Sequence, residues 1–205
     1  MVKMKNKKLI KIVKNFITID QINVLNNWTL ENYQKPYFSN PNMNSDKIQT
    51  RFTTRHAYNR NEEYQDYKIQ YPKEVYDIQK KLLIYLKLSS NCIIPWPSFT
   101  DGIVTTIAFP PGSCFKHKDP IYFKNTYTLH CNFVTQNPKN GGITYIEDIP
   151  YTFEENDMIM YVSSHLDHEV TEISEHTPRI LWVYGFCINL LQMNNIFQIS
   201  NMEYQ

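Results

Sequence analysis

The sequence predicts a mainly β protein with supporting α-helices in its first half, and three observations carry that prediction. Runs rich in β-branched and aromatic residues recur at strand length through residues 98–188. Proline and glycine punctuate them: only five glycines occur in the chain, and Gly112, Gly141 and Gly142 fall at expected turns. Ahead of that region, two segments join a helix-start signal to an apolar stripe of helical period. The 205 residues, 42% of them hydrophobic, suffice for one domain with a real core. Its expected parts are a helical support and loop region over 1–97, a β core over 98–188 and a C-terminal tail over 189–205.

In chain order, Thr18 and Gln21 form a capping box, each side chain placed to bond the other's backbone N–H. Ile17 and Ile22 are spaced as the accompanying hydrophobic staple, so a helix begins here and runs through Val24, Leu25 and Trp28. From Lys35 to Tyr71 the chain is polar and dotted with Arg51, Arg55, Tyr58, Arg60, Tyr64 and Tyr67. Two readings stand open: a lid over 36–70 whose arginines and tyrosines grip a substrate, or a solvated loop of a chain rich in Asn, Lys, Ile and Tyr. A second helix follows Pro72, with Val75, Ile78, Leu82, Tyr85 and Leu86 as its apolar stripe. Strands are then expected over Gly102–Phe109, closed by Pro110-Pro111-Gly112-Ser113, and over Asn125–Val134, Ile143–Ile146 and Asp157–Val162. His168-Glu169-Val170 and a last strand, Arg179–Phe186, complete the order.

A net charge of +1 gives no electrostatic footprint for a nucleic-acid backbone. Cys92, Cys114, Cys131 and Cys187 show no C-x-x-C spacing, which points to isolated thiols in a reducing compartment and not to a zinc site. The lysine-rich start over 1–8 lacks the apolar run and small-residue cleavage site of a signal peptide, and no apolar run is long enough to span a bilayer. The expectation is a cytoplasmic protein with no membrane and no nucleic-acid partner.

The chemistry concentrates at His117-Lys118-Asp119. On an extended segment, residues two apart share a side, so His117 and Asp119 reach one metal while Lys118 turns away. His168 follows far enough along for the chain to leave, pair several strands and return. Two imidazoles and one carboxylate fill a single face of an octahedral Fe(II), leaving the opposite positions for a co-substrate and dioxygen. A competing triplet, His165-Leu166-Asp167, has the same H-x-D spacing but no strand leading into it and no downstream partner.

The segments FPPGSCFKHKD at 109–119, GGITY at 141–145, HEV at 168–170 and RILWVYGF at 179–186 together resemble the iron(II)- and 2-oxoglutarate-dependent oxygenases, in their prolyl-hydroxylase-like branch. The resemblance covers roughly residues 98–188. It implies a double-stranded β-helix, or jelly roll, of two facing antiparallel sheets with the metal between them. It implies His117, Asp119 and His168 as iron ligands and Arg179 as the group that holds the remote carboxylate of 2-oxoglutarate through a bidentate fork. Thr128 and Asn132, an even number of residues apart on the neighbouring strand, are weaker candidates for that pocket. Gly185 shares a face with Arg179 by alternation. It leaves room for substrate beside the iron where some resembled enzymes carry an aromatic, unless it marks a β-bulge.

The implied cofactors are Fe(II), 2-oxoglutarate as co-substrate and O2, and the implied reaction hydroxylates a C–H bond with release of succinate and CO2. Related halogenases have a small residue where this chain keeps Asp119, so oxygenation is expected. Desaturation, cyclisation and demethylation stay open. The nucleic-acid demethylases commonly carry a second arginine shortly after the co-substrate arginine, and 180–186 holds none. Two substrate classes are expected, first a free amino-acid-derived small molecule and second a peptidyl residue such as proline in a partner protein. A metal-free binding jelly roll is a third reading of the fold. Arg51, Arg55 and Tyr58 are the candidate substrate-binding residues of the lid.

Overall fold

The computed structural model describes residues 9–35, 38–39, 54–57, 69–94 and 102–198. The eight strands of its β core are β4 (Ile103–Ala108), β5 (Cys114–His117), β6 (Tyr127–Gln136), β7 (Thr144–Ile146), β8 (Ile149–Tyr151), β9 (Met158–Val162), β10 (His168–Val170) and β11 (Arg179–Ile188). The first half adds β1 (Ile10–Val13), β2 (Phe38–Ser39) and β3 (Thr54–Ala57), with helices α1 (Ile19–Asn32) and α2 (Lys73–Leu86); α3 (Leu190–Phe197) follows the core. The strands form a larger sheet ordered β1-β9-β6-β11-β4-β3-β2 and a smaller one ordered β5-β10-β7-β8, with every named pairing antiparallel. From β4 to β11 the chain passes repeatedly from sheet to sheet, which is the double-stranded β-helix expected from the motifs.

Alternation along β11 decides what each face of the larger sheet does. Ile180, Trp182, Tyr184, Phe186 and Ile188 are buried in the main apolar cluster with Leu25 of α1 and Val75, Ile78 and Leu82 of α2. Trp182 packs against Trp28 and Tyr71 at ring-centroid distances of 5.6 and 5.5 Å, and the Tyr184 hydroxyl donates to the Val75 carbonyl at 3.1 Å. The opposite face carries Leu181, Val183 and Cys187 in a small second cluster with Ile94, Val104 and Tyr122. The helices therefore insulate one face of the sheet, and the other is left for the site.

Both predicted helices form where their signals stand. Thr18 and Gln21 make the reciprocal capping box, and Ile17 and Ile22 are buried behind it. On α2, Val75, Ile78, Leu82 and Leu86 are buried; Tyr85 is exposed at the stripe's edge, its ring set edge-on to Phe16. Three boundaries are corrected. Residues 1–97 are not only helical support, because β1, β2 and β3 extend both edges of the larger sheet. The stretch read as a loop contains β2 and β3. The C-terminal segment holds α3, capped by Asn189 and Gln192. Edge strands need only half-bury their side chains, so β1, with its Ile-Lys-Ile-Val, gives a weak pattern.

β1 is tied to the core by Asp157, whose carboxylate is almost wholly buried. It accepts from Lys14 Nζ at 2.6 Å and from the backbone N–H groups of Asn15 and Glu154, each at 3.0 Å. Burial alone would raise its pKa, but Lys14 and the two N–H donors outweigh that and hold it below the ordinary carboxylate value. A depressed native pKa contributes stability that is present above the unfolded value and lost as pH falls through the native one. Asp157→Asn is thus expected to cost about 1–3 kcal/mol at neutral pH, the worth of charge-assisted bonds. The gap between parent and variant should close below about pH 4 in denaturant titrations.

Candidate metal centre

His117 ends β5 and His168 opens β10, and the two stand opposite each other as a cross-strand pair. Asp119 follows β5, and its backbone N–H is tied to the Ser163 carbonyl, just past β9, at 3.0 Å. The carboxylate so placed lies 3.5 Å from His117 Nε2 through Oδ1 and 3.6 Å from His168 Nε2 through Oδ2. One ligand atom from each of the three residues lies within 4.8 Å of the others, a spacing that a small divalent ion can draw together. Each imidazole is oriented from behind. His117 Nδ1 lies 2.8 Å from the Phe115 carbonyl and His168 Nδ1 lies 3.1 Å from the Leu166 carbonyl. A carbonyl only accepts, so Nδ1 carries the proton and the Nε2 lone pair faces the cluster.

The charges suit a cation. Burial opposes the ionisation of Asp119, but the neighbouring His130, His117 and His168 hold its pKa well below the usual range. Burial pushes His168 down to about 4, so it stands neutral and able to ligate. Burial also works to lower His117, yet Asp119 and Cys114 outweigh it and raise the value to about 11. An incoming metal displaces that proton.

Arg179 opens β11 and is buried at 5% exposure. Its Nη2 donates to Thr144 Oγ1 on β7 at 3.0 Å, so the side chain crosses from the larger sheet to the smaller through the interior. Burial lowers its pKa to about 10, which still leaves it charged at neutral pH. No carboxylate pairs with it among the described residues, and its Nε has no hydrogen-bond partner. Gly141 and Gly142, both at positive φ, turn the chain tightly here; a Cβ at Gly142 would stand 3.2 Å from Arg179 Cδ. A buried cation with no carboxylate partner among the described residues is able to receive an anion.

The other sequence candidates divide. Asn132 faces the interior, donates to the Tyr161 hydroxyl at 3.2 Å and keeps a buried Oδ1 with no partner. Thr128 serves the loop after Asp119, its hydroxyl donating to the Pro120 carbonyl at 2.8 Å; the hydroxyl beside Arg179 is that of Thr144. Gly185 pairs with His130 in a register that runs unbroken from Leu181 to Ile188, so the bulge reading of Gly185 is corrected and the alternation holds. The one irregularity in that pairing lies between Ile180 and Leu181, where β6 carries the extra residue Thr135. Arg55 stands in β3 opposite Ile107, while Arg51 and Tyr58 lie outside the described residues. The competing triplet takes no part: the His165 ring sits 4.7 Å from that of Tyr127, and Asp167 lies 3.9 Å from Lys118.

Sequence reasoning passed over four neighbours of the site. Thr144 and Tyr161 are two, and Cys114, with Sγ 3.8 Å from His117 Nδ1, is a third. The fourth is His130, buried on β6 with Nδ1 3.2 Å from Asp119 Oδ2. Its signal was present, since it falls between Thr128 and Asn132 on the same alternating face.

No protein-family model and no curated protein matches the chain. Solved structures do. The chain is similar to the viral collagen prolyl hydroxylase of Paramecium Bursaria Chlorella virus-1 in its 2OG complex, with TM-score 0.58 at 13% identity over 89% of this chain and 97% of that one. A Pseudomonas putida prolyl-4-hydroxylase gives 0.59 at 11% identity over 88% and 92%. A Trichoplax adhaerens prolyl hydroxylase, in complex with a hypoxia inducible factor oxygen degradation domain peptide fragment, gives 0.58 at 14% over 96% and 89%. At such identities the likeness is one of fold, and the chemistry has to be argued from the side chains. No helix among the described residues is long and apolar enough to cross a membrane.

Proposed function

We propose that the protein is an Fe(II)- and 2-oxoglutarate-dependent hydroxylase. One observation carries the reading: the His117, Asp119 and His168 cluster shares its interior with a buried arginine that has no anionic partner among the described residues. The donor set, two imidazoles and a carboxylate, suits Fe(II) and leaves positions open on one face. Fe(II) supplies there the activation of dioxygen, coupled to oxidation of 2-oxoglutarate to succinate and CO2. The protein's own residues bind and orient. Arg179 and Thr144 hold the remote carboxylate; the apolar side chains Leu181, Val183 and Val104 on the same interior keep water from the reacting carbon.

Two substrate classes follow, a free amino-acid-derived molecule and a peptidyl residue. The peptidyl reading has a specific observation in its favour. Phe115, whose ring lies 5.4 Å from that of His117, is exposed, as are Ile121, Phe123 and Ile143 on the segments that carry Asp119 and Thr144. Exposed apolar side chains on the segments that carry the site suit an extended occupant better than a small enclosed one. The solved structures similar to the chain are prolyl hydroxylases, which agrees with that choice. Anaerobic titration with Fe(II) and then 2-oxoglutarate should show both binding. Succinate release assayed against free amino acids and proline-containing peptides then separates the classes. A protein that binds neither iron nor 2-oxoglutarate is a metal-free jelly roll.

Gly185 tests where the substrate sits. On the interior face, between Val183 and Cys187, an indole at this position would fill the space beside the cluster. With the substrate that the screen returns, Gly185→Trp should lose product formation more than about tenfold, as overpacking of a filled site does. Fe(II) and 2-oxoglutarate should still bind, with uncoupled succinate release. Undiminished product formation would place the substrate elsewhere, under the segment that carries Arg51, Arg55 and Tyr58.

A further inference from the structure

Beyond the three ligands, the site holds a fourth histidine that the reaction outlined above does not use. His130 lies in the middle of β6, whose adjacent Leu129 and Cys131 are fully buried on the helix-facing side. Alternation turns His130 the other way, into the space between the sheets. There its Nδ1 comes to 3.2 Å from Asp119 Oδ2, nearer than either of the other imidazoles. Its strand neighbours on that level are Gly185 of β11, which presents no side chain, and Tyr161 of β9, whose ring stands edge-on with centroids 6.1 Å apart. A histidine in that position is either a fourth ligand or a support for the third. The cluster of mutually close donor atoms contains His117, Asp119 and His168 and not His130, so His130 reaches the carboxylate without joining that cluster.

We infer that His130 is a positioning residue: its Nδ1 stands 3.2 Å from an Asp119 Oδ2 that has no hydrogen bond in the metal-free protein, and its ring N–H closes on that oxygen when a metal draws the carboxylate in. The reasoning rests on the metal reading above and deepens it. Each ligand imidazole is fixed by a bond from its Nδ1–H to a carbonyl of its own strand or turn, Phe115 for His117 and Leu166 for His168. Asp119 lies outside any strand, and its bond to Ser163 fixes the backbone but leaves the side chain free to rotate. His130 supplies the missing restraint from a central strand of the larger sheet, the most rigid platform available. Outer partners of this kind fix ligand orientation, and their loss typically weakens metal binding.

The test uses two variants of the full chain, and the probes are Fe(II), titrated anaerobically, and Mn(II), followed by electron paramagnetic resonance. His130→Leu keeps the volume and removes the donor. His130→Asn places an amide N–H where the imidazole Nδ1–H stands. Fe(II) and Mn(II) affinity should fall about 10–100-fold in the leucine variant. It should return to within about threefold of the parent in the asparagine variant, which repacks the space worse but restores the bond. A purely structural histidine predicts the reverse order, with leucine tolerated and asparagine harmful. Equal affinity in parent and leucine variant, or equal weakness in both variants, overturns the positioning role while leaving the metal reading intact. A leucine variant that does not fold leaves the asparagine variant to decide, since only a bond-restoring side chain keeps parental affinity. A parent that binds neither ion overturns the metal reading and this inference with it.

Discussion

Alanine at His117, Asp119 or His168 is expected to leave a folded protein that no longer binds Fe(II) or turns over 2-oxoglutarate. Loss of an outer partner alone typically costs about 10–100-fold in metal affinity, so loss of a ligand should exceed that. The fold should survive because none of the three belongs to either apolar cluster. His165→Ala is the control, exposed, three residues before His168 and set against Tyr127; its effect should stay within about twofold, as for surface changes generally. Anaerobic Fe(II) titration, succinate release and thermal melting separate the outcomes. Retained succinate production in His168→Ala would remove that histidine from the ligand set.

What could be read in the sequence follows from how local each signal is. H-x-D is local, and the strand order around it showed where a distant histidine would return, so the convergence of His117, Asp119 and His168 was legible. Arg179 was legible because a charge at the head of an apolar strand has few benign explanations. The capping box at Thr18 and the stripe of α2 are likewise local patterns, and both helices form. By contrast, β1, β2 and β3 are short strands toward the edges of the larger sheet, set among lysines and polar residues, and they join it through partners distant in sequence, as in Ile10 with Tyr161 and Thr54 with Ala108. Thr144 could not be found at all, because its contact with Arg179 spans two sheets. His130 could have been found: once Thr128 and Asn132 are placed on an interior face, the residue between them must share it.

Arg179→Met should abolish useful 2-oxoglutarate binding while leaving the ligand-free protein at least as stable as the parent. The two halves of that expectation have one cause. In the ligand-free protein the guanidinium is buried and charged, with Thr144 as its hydrogen-bond partner and no counter-ion among the described residues. Removing an uncompensated buried charge relieves a desolvation cost, and methionine fills much the same volume. Binding loses in turn the partner of the remote carboxylate. When one member of a buried pair is removed the cost is about 3–5 kcal/mol, or roughly two to three and a half orders of magnitude in affinity. Arg179→Lys should fall between, since it keeps the charge but not the two-pronged donor. Added 2-oxoglutarate with a divalent metal should raise the melting temperature of the parent and leave that of the methionine variant unmoved. An arginine retained only to hold the two sheets together predicts the opposite pattern. Its methionine variant would melt lower without ligand, and 2-oxoglutarate would raise both melting temperatures alike.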